Sequence, residues 1–280
     1  MKERPKLGRG LQDVSRFFLT GASQQGPDQA QALFVHGDNR SICVCCPASE
    51  MIQASFVANI ALELARHRFP VIIRDFSVTE EARLSTLMHA VLCQDERTTD
   101  KAFVKLYGLP EIVIQDKGRQ GLTEEREPPG PDARPVVDED SAGFILVNPS
   151  ASLDFIQEEK PCDEYVVITR TDERSLLQCY AYIKVIHERS FSSKVHVVFD
   201  DEDAGSNNDA VFKKLSRFIH DHLEFTADFL GSLPRDEHFE RSITNQRPLV
   251  LMSGASVTKD ALTSICSLLL EGYRGQEEMI

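Results

Sequence analysis

Short apolar runs recur along the chain at Ser41–Cys46, Val71–Asp75, Ile112–Ile114, Gly143–Val147, Glu164–Thr169 and Lys194–Phe199, and Phe229–Leu230 ends a seventh. They are near-continuous rather than alternating, the pattern of strands covered on both faces. Helical periodicity fills the intervals. Val57, Ile60, Ala61 and Leu64 form one stripe after the first run, and Leu176, Leu177, Tyr180, Ile183 and Ile186 form another after the fifth. Val211, Leu215, Phe218 and Ile219 follow the sixth, and Leu262, Ile265, Leu268 and Leu269 mark a last helix. Alternating strand and helix predicts right-handed crossovers and an α/β fold, a doubly wound, mostly parallel sheet of about seven or eight strands flanked by helices.

Two segments stand outside this alternation. Residues 1–38 precede the first strand and read as an N-terminal extension, with a short amphipathic piece at Leu11–Leu19. The α/β domain then covers 39–280. Within it, residues 117–142 are polar and Pro-rich, and are expected to form a long mobile loop.

Composition narrows the class. With 41% hydrophobic and 27% charged residues in 280, the chain has material for a large core. A formal net charge of -13 argues against nucleic acid or an anionic membrane as the main partner. Seven cysteines without the two CxxC pairs of a zinc ribbon suggest reduced thiols in a cytoplasmic protein rather than a zinc site. Met1–Leu11 lacks the apolar core of a signal peptide, and no apolar run reaches the ~20 residues of a membrane helix.

The region SICVCCPASEMIQASFVANIALELARHRFPVIIRD carries more information. Asn59–Ala65 (NIALELA) and Val71–Asp75 (VIIRD) resemble the first helix and second strand of MinD/ParA/FlhG-type P-loop ATPases, whose intervening deviant Walker A loop has the form GKGGVGKS. FILVNPSAS at Phe144–Ser152, the stretch Glu164–Ile186, and LGSLPRDEHFERSITNQRPLV at Leu230–Val250 are similar to later segments of that family, in the same order. The likeness covers about residues 40–270 and implies a P-loop NTPase-like fold.

Counted back from Asn59, the resemblance sets the loop glycines on Pro47, Ser49, Glu50 and Ile52, and the signature lysine on Ala48. The lysine that contacts the β- and γ-phosphates falls on Gln53, and the magnesium-binding hydroxyl on Ala54. The family's carboxylates fall on Asp75, Ser77 and Asn148. No lysine occurs anywhere in residues 41–65. Pro47 has no amide hydrogen, and Ile52 resists the positive-φ backbone that glycine accepts. Glu50 would bring a carboxylate to a triphosphate, where two unit charges ~4 Å apart repel by roughly 4 kcal/mol at an effective dielectric near 20. Asn148 would lose the charge that steers a magnesium-bound water. These substitutions point to a vestigial nucleotide site at Pro47, Ala48, Ser49, Glu50, Ile52, Gln53, Ala54, Asp75 and Asn148, with no catalytic residue, no bound ATP or magnesium and no metal. Asp75 also reads as a polar strand end or helix cap.

Other candidates are weaker. His220 and His222 do not share a helix face, which argues against a metal pair. Cys43, Cys45 and Cys46 fit as buried apolar fillers. KLGRGLQDV resembles the basic peptide by which ParB-type partners engage ParA-type ATPases. Lys6, Arg9, Leu11 and Phe17 are therefore candidate partner-binding residues, with Arg9 placed to act on an intact ATPase; a tail packing on its own domain is the competing account. The acidic C-terminal end differs from the basic membrane-targeting helices of MinD, so no stable membrane anchor is expected.

Two functions follow. The first is a non-catalytic adaptor that binds a protein, such as an intact MinD/FlhG-type ATPase, in positioning a flagellar, polar, division, secretion or polysaccharide assembly. The second is a nucleotide-binding ATPase with a rebuilt phosphate loop, in which Ser49, Gln53 and Ser55 replace the lysine by neutral hydrogen bonds. A homodimer, if formed, would need contacts other than the family's shared ATP.

Overall fold

A computed structural model describes residues 39–89, 92–94, 101–104, 109–110, 112–117, 143–150, 152–201 and 207–277. The candidate partner residues Lys6, Arg9, Leu11 and Phe17 and nearly all of the loop at 117–142 lie outside the described residues.

The strands are β1 (Arg40–Cys45), β2 (Val71–Asp75), β3 (Leu92–Gln94), β4 (Lys101–Val104), β5 (Ile112–Asp116), β6 (Phe144–Asn148), β7 (Glu164–Thr169), β8 (Lys194–Asp201) and β9 (Asp228–Pro234). They form one sheet in the order β3-β4-β5-β2-β6-β1-β7-β8-β9. From β5 to β9 all seven strands are parallel, and β4 and β3 add antiparallel ladders at one edge. The doubly wound expectation holds for the seven parallel strands. The hairpin β3–β4 was not foreseen, because strands of three and four residues give too short a run for period-2 alternation to register.

Helices α1 (Glu50–Arg66), α2 (Leu84–Leu87), α3 (Leu153–Glu158), α4 (Glu173–Arg189), α5 (Asn208–Leu223), α6 (Glu237–Thr244) and α7 (Val257–Glu277) connect the strands, with a 3₁₀ turn at Leu249–Leu251. Alternate strand residues enter two separate cores. Ile42, Val44, Ile73, Leu146 and Ile168 pack with α1, α7 and the 3₁₀ turn. Cys43, Cys45, Ile72, Val147, Val167 and Val197 pack with α3, α4 and α5. Both faces being apolar explains why the strands read as continuous runs.

Helix α1 departs from its sequence pattern. The stripe Val57–Leu64 implies one buried face, yet every residue from Ile52 to Ala65 is buried. The sheet covers one side, and α7 and the 3₁₀ turn cover another. Its polar residues are satisfied in place: Asn59 donates to Ser55 O (2.7 Å) and accepts from Val250 N (2.9 Å). Glu63 pairs with Arg66 at 2.9 Å. Between β8 and β9 the register slips at Val197/Val198, where Leu230 is extra on β9 and Gly231 sits at φ +120, a conformation costly to a side chain.

Candidate functional site

The C-terminal ends of β1, β2 and β6 meet beneath the start of α1, the place where ligands bind in open α/β sheets. Strand β1 ends at Cys45, and only Cys46, Pro47, Ala48 and Ser49 separate it from α1. Ser49 is the N-cap, its Oγ accepting from Ile52 N at 3.3 Å and its carbonyl accepting from Gln53 N at 3.1 Å. Glu50 is already helical. Positions 50–53, which the resemblance assigns to a phosphate loop, are the first turn of a helix.

Gln53 stands in the lysine's position and is buried. Its Oε1 accepts from Cys46 N (2.8 Å), and its Nε2 donates to Asn148 Oδ1 (2.8 Å) and to Pro149 O (2.7 Å). The amide of Cys46, which would otherwise continue the β1 ladder or face a ligand, is thereby taken. This is why β1 stops one residue before the expected Cys46.

The chain of hydrogen bonds continues. Asn148 Nδ2 donates to Asp75 Oδ1 at 2.8 Å. The two residues are register partners at the ends of β6 and β2, so the sheet itself sets this spacing. Asp75 also accepts from Ser77 N on Oδ1 (3.1 Å) and from Leu84 N on Oδ2 (2.8 Å). It therefore caps the turn into α2. Burial pushes the Asp75 carboxyl up from its ordinary value, and the donors from Leu84, Asn148 and Ser77 oppose this without cancelling it.

The remaining candidates fall around this chain. Ile52 and Ala54 are buried in the core with α1, and Met51 packs against it. Glu50 points to the rim, where Thr79 Oγ1 donates to its Oε2 at 2.8 Å. Val78, beside Thr79, is 70% exposed. Pro47 and Ala48 form the turn. The structure thus brings Ser49, Gln53, Asn148 and Asp75 together and leaves Glu50 at the edge. Gln53 as the bridge was not foreseen from its own position; its two amide ends and its spacing seven residues after Cys46 were the available signal.

The fold's P-loop relatives suggest a triphosphate with magnesium here, and the residues do not fit one. The carboxamide of Gln53 is committed on both ends to protein partners, no lysine reaches the loop from residues 41–65, and Pro47 offers no amide hydrogen.

A second polar cluster, missed in the sequence, lies at the opposite ends of the strands. Arg40, the first residue of β1, pairs with Glu164 at the start of β7 and donates to the carbonyl of Leu269. His196 of β8 contacts Glu164 Oε2 through Nε2 at 3.1 Å and Asp228 Oδ2 through Nδ1 at 3.7 Å. Burial pushes the Glu164 carboxyl up, but hydrogen bonds from His196 and Arg40 outweigh it and leave the group below its ordinary value. Back at the C-terminal end of β8, Arg235 holds Asp200 through two bonds of 2.8 and 2.6 Å. His222 lies against Phe218 and Tyr180 on α5 and α4.

No family model matches the sequence, and no curated protein sequence matches it. Solved structures do. The MinD cell division protein of Aquifex aeolicus superposes with a TM-score of 0.57 at 15% identity, covering 83% of this chain and 97% of that one. MinD in the MinC:MinD cell division complex of the same organism gives 0.56 at 16% identity, covering 83% and 96%. A ParA family ATPase from Chlorobium tepidum gives 0.57 at 14% identity, covering 82% and 98%. The chain has the MinD/ParA-type P-loop ATPase fold.

Proposed function

We propose that this chain, built on the MinD/ParA-type fold, is a non-catalytic adaptor that works through a protein partner. One observation carries the reading: Gln53 occupies the lysine position and ties Cys46 N to Asn148 and Pro149 inside the protein. A phosphate loop needs inward-pointing amides and a lysine charge. Here helix α1 begins at Glu50, the amide of Cys46 is bonded to a side chain, and the carboxylate position on β6 is Asn148. Pro47, Ala48, Ser49, Glu50, Ile52, Gln53, Ala54, Asp75 and Asn148 are then a structural joint rather than a nucleotide site, and neither ATP nor magnesium is a cofactor.

The partner we propose is a protein, with an intact ATPase of the same fold as the first candidate. The MinC:MinD complex is an instance of this fold in a protein complex. The rim of Glu50, Thr79 and the exposed Val78 supplies a contact surface beside the loop, and Lys6, Arg9, Leu11 and Phe17 are the candidate partner-binding residues read from the N-terminal sequence. The setting would be cytoplasmic, in the positioning of a cellular assembly. No described helix is long and apolar enough to cross a membrane.

Isothermal calorimetry of ATP and ADP, with and without magnesium, tests the central point. The expected outcome is no binding heat. Micromolar affinity would overturn the adaptor reading in favour of a nucleotide enzyme with a rebuilt loop.

A further inference from the structure

Three thiols run in a line on the α4 side of the sheet, and nothing in the adaptor reading uses them. Cys43 and Cys45 are both buried on β1, with their sulfurs 3.8 Å apart. The third, Cys162, lies in the turn before β7. Cys43 and Cys162 both line a small cavity of about 30 Å³, walled also by Arg74, Phe155, Lys160 and Tyr165. A cavity of that volume admits a water-sized molecule.

The three sulfurs are not equivalent. Cys162 is partly exposed, whereas Cys43 and Cys45 are closed off from solvent. The hydrogen bond with Cys43 holds the Cys162 thiol below its ordinary value, against burial and the nearby Asp163 carboxylate, and Arg74 adds to the lowering. Cys43 moves the opposite way, raised by its bonds to Cys162 and Cys45 and by burial. The partly exposed sulfur is thus the one that meets peroxide, and the buried one stays a thiol until it attacks the oxidised partner.

Strand geometry disfavours the alternative pair on β1. Residues i and i+2 of an extended strand have Cα atoms ~6.6 Å apart, at the upper limit of what a disulfide spans. Cys43 and Cys45 are such a pair. Cys162 sits on a turn beside β1, held there by Ser41 N and Oγ donating to Asp163 Oδ2 at 2.8 and 2.7 Å. Its backbone is further fixed by Cys162 N donating to Tyr165 Oη (3.1 Å) and Ser193 Oγ donating to Cys162 O (2.6 Å).

We propose that Cys162 and Cys43 are a peroxide-oxidisable pair that closes to an intramolecular disulfide. The Cys162 thiolate attacks a hydroperoxide: the S–O bond forms, the O–O bond breaks, and the peroxide is reduced by two electrons to water or an alcohol. The Cys43 sulfur then attacks the Cys162 sulfenic acid. The S–S bond forms, the S–O bond breaks, and water leaves with the Cys43 proton. The product staples the centre of β1 to the turn before β7.

The test is hydrogen peroxide treatment of the purified full chain, followed by non-reducing peptide mapping and intact mass. The expected result is a mass loss of about 2 Da without dimer formation, and one cross-linked peptide pair joining Cys43 to Cys162. In Cys43→Ala, Cys162 should instead be trapped as a sulfenic acid by a 1,3-dione probe, and Cys162→Ser should lose both products. Any one of three results would overturn the proposal: an unoxidised chain, a bridge between Cys162 and another cysteine or another chain, or a Cys43–Cys45 bridge. The wild-type map alone decides between these, so a variant that fails to fold does not blur the answer.

Discussion

The two ends of the central strands solve the same problem with opposite chemistry. At their N-terminal ends, Arg40 and Glu164 bury charge against charge, with His196 at hydrogen-bond distance from Glu164. At the C-terminal ends of β1, β2 and β6, Cys46, Gln53 and Asn148 pass a chain of neutral hydrogen bonds to one carboxylate, Asp75. The first cluster works only with every partner present, since a buried ion pair stabilises little beyond an apolar substitute but costs much when broken. The second tolerates loss more gradually, because neutral groups are cheaper to strand. The lesson is that burial of polar groups does not by itself mark a functional site. What separates the two ends here is topology, since only the C-terminal edge is where this fold class places ligands.

The largest effect should come from breaking the charged end. Arg40→Ala leaves Glu164 buried with only His196 opposite, and should cost about 3–5 kcal/mol in urea unfolding. A loss below ~1 kcal/mol would mean that water or the chain relaxes into the gap, and the contrast would fail. Gln53→Leu keeps the volume at the neutral end but strands Cys46 N, Asn148 Oδ1 and Pro149 O, and should cost about 1–3 kcal/mol. A neutral or stabilising result would show that these groups are already hydrated.

The smallest effect, and the sharpest in sign, is the pH dependence. Glu164 has a folded value below its ordinary 4.5, so its contribution is present above that value and is lost as pH falls through the lowered one. Asp75 has a folded value above its ordinary 3.8, so its contribution is full below 3.8 and is lost as pH rises through the raised one. Unfolding midpoints measured from about pH 3 to 6 should therefore show two opposed slopes. Glu164→Gln should remove the rise with pH, and Asp75→Asn the fall; the same slope lost in both variants would refute the assignment.

Much of the fold was legible because six of the seven parallel strands are apolar on both faces and left a run long enough to see; β9, expected to end at Phe229–Leu230, instead begins at Asp228 and runs through Gly231 to Pro234, half-exposed along its length. Val71–Asp75 and Glu164–Thr169 match their strands residue for residue. Others run longer than their apolar cores: β8 continues through Asp200 and Asp201, where ladder bonds rather than side-chain hydropathy decide. The site was legible as a set of substitutions but not as a structure. That Pro47, Glu50 and Gln53 depart from a phosphate loop can be counted along the chain. That Gln53 reaches back to Cys46 and across to Asn148 depends on where two strands end. Arg40, Glu164 and His196 gave no spacing signal, since they lie on β1, β7 and β8, which only the strand order of the sheet brings side by side, although a charge opening an apolar strand was a hint at Arg40 and Glu164.

The Gln53 bridge also constrains how this chain could change. A lysine at position 53 would put a charged group with no acceptor capacity against Cys46 N, and would leave that amide unpaired. An aspartate at 148 would place a second carboxylate beside Asp75 at the same register. Each single step towards a phosphate loop is uphill for folding before it offers anything to a nucleotide. The bridge is therefore coupled in sequence space: its members can be exchanged together, but exchanging them one at a time is opposed by the stability of the fold itself.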